Sequence, residues 1–263
     1  MKVKTDNYEI YKGDCLELMD KLIEQGVKVD CVICDPPFNT TSCDFDKNII
    51  DLAEMWVRLK KIAKPNSPIV LFGAMPFTAK LVASHYKGYK HHWIWKKNRG
   101  TGFQVAKYRP MMATEDIIVF TPKGERVNYY PQMIPLEKPT KYSYSGKSKH
   151  NYGTNNSAER LSREITHKYP INVIECAKVA KPIHPTEKPV KLMEYLVNTF
   201  SNEGEVILDF TMGSGSTGVA CILTDRKFIG VELDDKYFEI AENRLKEATE
   251  KKEELLKVFD KSN

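Results

Sequence analysis

Short β-branched runs alternate with stretches of helical periodicity from the first residues onward, and this alternation narrows the fold more than any other feature. Tyr8 to Tyr11, Val29 to Cys34 and Ile69 to Phe72 read as strands. Between and after them, Cys15 to Gln25, Ile50 to Ala63 and Pro76 to His85 read as helices. KHHWIWKK and EDIIVFT are two further strand-like segments that can pair as a hairpin at one edge. Regularity resumes after His184 with a helix over Val190 to Phe200, strands over Val206 to Phe210 and Phe228 to Val231, and a helix from Thr217 to Leu223. A final helix starts at Asp235 and is expected to fray past Glu250, where charge takes over. The expected fold is α/β with a mostly parallel sheet.

The pattern breaks between Thr121 and Lys181, where prolines and the polar stretch TKYSYSGKSKHNYGTNNS leave little periodicity. This predicts one large domain, with residues 1–120 and 182–263 as its two parts and 121–181 as an insertion. Charge follows a similar division. Residues 87–181 hold 18 Lys and Arg against 7 Asp and Glu, a net +11 in a chain whose total is +5, which leaves −6 elsewhere. Basic residues interleaved with Trp93, Trp95, Phe103, Tyr108, Tyr129 and Tyr142 suit phosphate neutralisation and base stacking, although a solvated basic surface would look the same.

The longest apolar stretch, Pro68 to Phe77, is too short to span a bilayer and the start of the chain is too polar for a secretory signal, so a cytoplasmic protein is expected. Cys31 and Cys34 form the only CxxC, but inside a strand positions three apart point to opposite faces. Buried thiols are expected rather than a metal or redox site, and nothing else resembles a metal site.

Two motifs fall at strand ends. Asp209-Phe-Thr-Met-Gly213-Ser-Gly215-Ser-Thr-Gly218 closes a strand and opens a helix, a place where glycines let a ligand approach free amides. Glu232 then closes the next strand at the separation expected of a ribose-binding acid. The glycine triplet alone serves a nicotinamide dehydrogenase equally well. Asp209 favours a ligand with positive charge, such as the sulfonium and ammonium of S-adenosylmethionine, over a pyrophosphate, though it could also serve only to stabilise the turn. The second motif is Asp35-Pro36-Pro37-Phe38. Prolines have no N–H, so the motif offers carbonyl and carboxylate acceptors without competing donors, and Phe38 offers a stacking face. Such a site suits an –NH2 group on a planar base extruded from a duplex, whereas in isolation the same residues make a rigid turn.

These motifs resemble the amino-methylating DNA methyltransferases that use S-adenosylmethionine. The resemblance rests on Asp35-Pro-Pro-Phe38, on the Asp209 to Gly215 loop, and on His184-Pro-Thr-Glu-Lys-Pro189, with Gly13-Asp14 and Trp93-Ile-Trp-Lys-Lys97 as further matches. Their order is similar to that of the β subgroup. The resemblance implies a seven-stranded sheet with one antiparallel strand and an inserted target-recognition region. It implies that Asp14 contacts the cofactor adenine, that Glu232 holds its ribose, and that Asp209, Gly213 and Gly215 surround its methionine part. Thr186 and Lys188 would sit near that methionine's carboxylate. Thr186 and Asp14 could instead be helix caps. Asp in the first catalytic position goes mostly with adenine in double-stranded DNA, and Ser more often with the cytosine amine. Relatives are often homodimers and often belong to restriction-modification systems, but no sequence patch here demands a dimer. A catalytically inert DNA-binding module remains a rival.

Overall fold

The computed structural model describes residues 1–38, 49–144, 149–150, 153–154 and 161–260. They form two compact units. One comprises residues 1–130 and 172–263, the other Pro131–Ile171.

In the larger unit the strands are β1 (Lys2–Lys4), β2 (Tyr8–Lys12), β3 (Cys31–Cys34), β4 (Ile69–Gly73), β5 (Tyr89–Thr101), β6 (Met112–Phe120), β11 (Val173–Glu175), β12 (Val206–Asp209) and β13 (Lys227–Glu232). The described strands make one sheet in the order β1-β2-β13-β12-β3-β4-β6-β5-β11. The central seven, β2 to β5, match the expected sheet, with β6 as the one strand antiparallel to its neighbours β4 and β5. Two short edge strands go beyond the expectation. β1 pairs antiparallel with β2, and β11 pairs parallel with β5. The hairpin of β5 and β6 is therefore not at the edge, because β11 covers β5.

Strand alternation separates two cores, one on each face of the sheet. Cys31 and Ile33 of β3, with Val70, Phe72, Ile117, Val119 and Ile207, face the helices α4 (Val190–Phe200), α5 (Ser216–Leu223) and α6 (Asp235–Asp260). Val32 and Cys34, with Ile69, Leu71, Ile118, Phe120 and Leu208, face α1 (Cys15–Glu24), α2 (Leu52–Ile62) and α3 (Phe77–Ser84). Cys31 and Cys34 thus point to opposite faces, both buried and free. Each helix buries residues at helical spacing, such as Leu52, Met55, Trp56, Leu59 and Ile62 of α2, whose first turn is capped by Asp51.

Two expectations need correction. α6 does not fray at Glu250 but runs to Asp260. Lys252 ties it back to Asp225 and to the carbonyl of Ile222, although Leu255, Leu256 and Val258 beyond it are exposed. The separate unit is also shorter than 121–181. Tyr130 donates its N–H to the Thr199 carbonyl at the end of α4, and residues 173–175 are a strand of the main sheet, so both flanks belong to the larger unit. Nor are the described residues of the segment without regular structure. β7 (Ile134–Tyr144) and β10 (Leu161–Lys168) form a long antiparallel pair with a register shift between Ile165 and His167, and β8 (Lys149–His150) pairs with β9 (Gly153–Thr154). The prolines at 135 and 139 hid this pairing, because the strand pattern there is interrupted.

Candidate active site

Strands β2, β13, β12, β3 and β4 are mutually parallel, so the segments leaving them emerge on one edge. That edge carries Gly13-Asp14 after β2, Glu232 at the end of β13, Asp209 and its loop at the end of β12, and Asp35 directly after β3. They line a single cavity of about 410 Å³. Ten of the eleven residues expected at the site line it: Asp14, Asp35, Pro36, Pro37, Phe38, Thr186, Lys188, Asp209, Gly213 and Glu232. Gly215 does not. It precedes α5 with a positive φ of 78°, and a Cβ there would lie 3.1 Å from the Cβ of Ala241 on α6. Gly215 therefore allows the turn and the close approach of α6, and does not touch the cavity.

On the loop side, Asp209 is buried and both its oxygens are engaged. Oδ1 accepts from the Thr211 N–H at 3.2 Å and Oδ2 from the Thr217 hydroxyl at 2.6 Å. Burial pushes its carboxyl up to about 7, against the pull of Thr217 and Thr211. Glu232 accepts from the Gly213 N–H at 2.8 Å through Oε2, and from Leu233 and Asp234 N–H through Oε1. Burial raises it above the usual carboxylate range despite these donors. The Gly13 N–H bonds the Glu232 carbonyl at 2.9 Å, which brings Asp14 beside it. Asp14 is also the cap of α1, accepting from Leu16 and Glu17, so the capping reading holds alongside its place on the cavity wall. Thr186 caps no helix. Its hydroxyl meets His184 Nδ1 at 3.1 Å, and the residue before α4 is Pro189.

On the motif side, Thr211 joins the two strand ends by donating its hydroxyl to the Asp35 carbonyl at 3.0 Å, while Cys34 Sγ lies 2.9 Å from the same hydroxyl. Phe38 stacks on Phe77 of α3, with ring centroids 5.1 Å apart. Lys188, expected near the cofactor carboxylate, is buried instead in an ionic chain. Its ammonium holds Asp35 Oδ2, lies 3.3 Å from Glu115 Oε2, and sits 4.8 Å above the Phe72 ring. Glu115 Oε1 in turn holds Lys97. Asp35 Oδ1 is buried and has no hydrogen-bond partner among the described residues.

Burial pushes the Asp35 carboxyl up to about 6, opposed by Lys188 and reinforced by the charge of Glu115. Burial would also raise Glu115, but Lys188 and Lys97 together bring it below its ordinary value. Burial works against the charge of Lys188, and its two carboxylate partners more than restore it. The sequence motifs gave no sign of Glu115 and assigned no role to Lys97. Both lie on strands that read only as a hairpin, and pairing register across β5 and β6 is not visible in a linear pattern.

The fold and this strand-edge pocket are those of a methyltransferase. The chain belongs to the N6/N4 DNA methylase family, whose model, described as DNA methylase, matches residues 29–243. Membership of this family overturns the dehydrogenase reading and counts against the inert-module one. Among similar proteins, the type II methyltransferase M.HpaI of Haemophilus parainfluenzae is 29% identical over 82% of this chain and 68% of its own. The DNA adenine methyltransferase YhdJ of Escherichia coli K12 is 26% identical over 95% of this chain and 86% of its own. The crystal structure of an M1.HpyAVI complex with S-adenosylmethionine superposes with a TM-score of 0.63 at 27% identity, covering 90% of this chain and 98% of that one. The cytosine-N4-specific PvuII methyltransferase, 16% identical over 92% of this chain and 87% of its own, shares the fold with a TM-score of 0.61.

Proposed function

We propose that the protein transfers the methyl group of S-adenosylmethionine to the exocyclic amine of adenine in a short sequence of double-stranded DNA. The observation that carries this reading is Asp35, which lines the same cavity as the glycine loop and whose Oδ1 is a buried acceptor without a described partner. An unsatisfied buried acceptor is costly, so it favours a ligand that donates. The base amine is such a donor. When bound, S-adenosylmethionine would supply a methyl carbon on a sulfonium; in-line attack by the amine nitrogen on that carbon would form the N–C bond as the C–S bond breaks, releasing a neutral thioether and a cationic amine that loses its proton to water.

The chain's own residues do the rest. Asp35 Oδ1 and the Pro36 carbonyl accept the two amine hydrogens and draw the nitrogen toward tetrahedral geometry, freeing a lone pair otherwise delocalised into the ring. Phe38, backed by Phe77, offers a face for the extruded base. Asp14 and Glu232 hold the adenosine part of the cofactor, and Gly213, Asp209 and Thr186 surround its methionine part. The cavity's volume and its row of acidic and amide groups fit such a cationic ligand.

DNA must approach the carboxyl edge of the sheet to deliver a base to Asp35. β5 ends at that edge, being parallel to β4, and its connection to β6 exposes Phe103 and Tyr108 beside Arg99, Lys107 and Arg109. This loop and the basic insertion, now narrowed to Pro131–Ile171, are the candidate contacts to phosphates and bases. Adenine is favoured by the Asp at position 35 and by the specificity named for YhdJ. The test is to incubate DNA with labelled methyl donor, digest it, and separate the nucleosides. Label in N6-methyl-2′-deoxyadenosine is expected, label in N4-methyl-2′-deoxycytidine would move the substrate to cytosine, and no label on any DNA would overturn the reading.

A further inference from the structure

The mechanism above uses one oxygen of Asp35 and leaves unexplained why its other oxygen ends a buried row of four alternating charges. The row crosses four parts of the fold: Asp35 after β3, Lys188 just before α4, Glu115 on β6 and Lys97 on β5. Lys188 is 7% exposed and Lys97 9% as side chains, so neither is a solvated surface charge. Buried ion pairs seldom add net stability over apolar packing, which makes a row of four a poor choice for a merely structural filler.

We propose that Lys97 and Glu115 are positioning residues for methyl transfer: acting through Lys188, they keep Asp35 an anchored carboxylate with Oδ1 left for the amine. This rests on the reading of Asp35 as the amine's acceptor. Lys188 lies between two carboxylates and must divide its attraction. Lys97 takes part of the charge of Glu115, which leaves more of Lys188 for Asp35. Without that division, Glu115 would compete with Asp35 for the same ammonium. Two other titratable groups near Asp35 are Asp209, whose own carboxyl the charge of Asp35 helps to raise, and the thiol of Cys34, which burial keeps neutral. Neither has a counter-cation of its own in the row.

The charge order gives predictions of opposite sign. Glu115→Gln removes the competitor, so Asp35 stays ionised to lower pH. Lys97→Met leaves Glu115 to draw Lys188 away, so Asp35 takes up a proton at higher pH. Single-turnover methyl transfer with saturating donor and DNA, measured from pH 5 to 9, reads this as the position of the acid limb. E115Q should move the limb down and K97M up, each on the order of one pH unit, with donor affinity within about threefold of the wild type. K97R should return the limb to its wild-type position. Limbs that stay put, or that move in the same direction in E115Q and K97M, overturn the relay, provided Asp35→Ala is inactive. Turnover by D35A at the wild-type rate would instead remove the acceptor reading beneath it. If K97M does not fold, E115Q decides alone, since an unmoved or raised limb contradicts the proposal.

Discussion

Asp35 and Asp209 leave adjacent parallel strands at the same sheet edge, and both are carboxylates that burial pushes above their ordinary range. Their partners differ. Asp209 has a donor on each oxygen, an amide and a hydroxyl from its own loop, so its capacity is spent on shaping that loop. Asp35, which lines the cavity, has a single cation on one oxygen and a buried second oxygen with no described partner. Residue type is the same and both stand at strand ends, so it is the donor set that distinguishes an acid spent on its own loop from one with an oxygen left open. A buried acceptor left open is expensive, and it persists where a substrate completes it.

Substitutions can break this contrast. The largest effect is expected for Asp35→Ala, which should slow methyl transfer on the order of a thousandfold while calorimetry shows nearly unchanged donor binding. Asp209→Ala should do the reverse. Loss of both loop contacts should weaken donor affinity about tenfold to a hundredfold, measured by the same titration. The next effect concerns pH. Because the folded carboxyl of Asp209 is raised to about 7, its stabilising contribution is complete below about pH 4 and is lost as pH rises through about 7. Asp209→Asn cannot titrate, so its melting temperature relative to the wild type should climb between pH 5 and pH 8. A difference independent of pH would show that Asp209 is not held protonated. The smallest effect should come from Thr211→Val, which cuts the hydroxyl bridge between the two strand ends. It should cost about 1 kcal/mol, a drop of roughly 2–4 °C in melting temperature.

Much of the sheet could be read from the chain because β-branched runs and helical spacing are local properties. The run of Leu192, Met193, Leu196, Val197 and Phe200 fixed α4 to the residue. Both strand-end motifs were legible for the same reason, since each stands directly after a strand. What stayed hidden depends on pairing between distant segments. Nothing near Lys97 or Glu115 announces Lys188, which lies more than seventy residues further on and meets Glu115 only when β6 packs beside β4. Lys188 was found by its motif, but its ion pair with Asp35 was missed for the same reason. Gly215 shows the converse. Its motif suggested a ligand contact, whereas the close approach of α6 explains the glycine. The β7 and β10 pair was obscured by its prolines, and residues 145–148, 151, 152 and 155–160 of that segment lie outside the described set.

The division of labour between the two acids can be tested in one experiment, a single-turnover comparison of D35A and D209A on DNA at saturating S-adenosylmethionine. Saturation should bring D209A to within about tenfold of the wild-type rate and leave D35A slow on the order of a thousandfold. A D35A rate within tenfold of the wild type, or a D209A rate that saturation does not restore, would contradict the account.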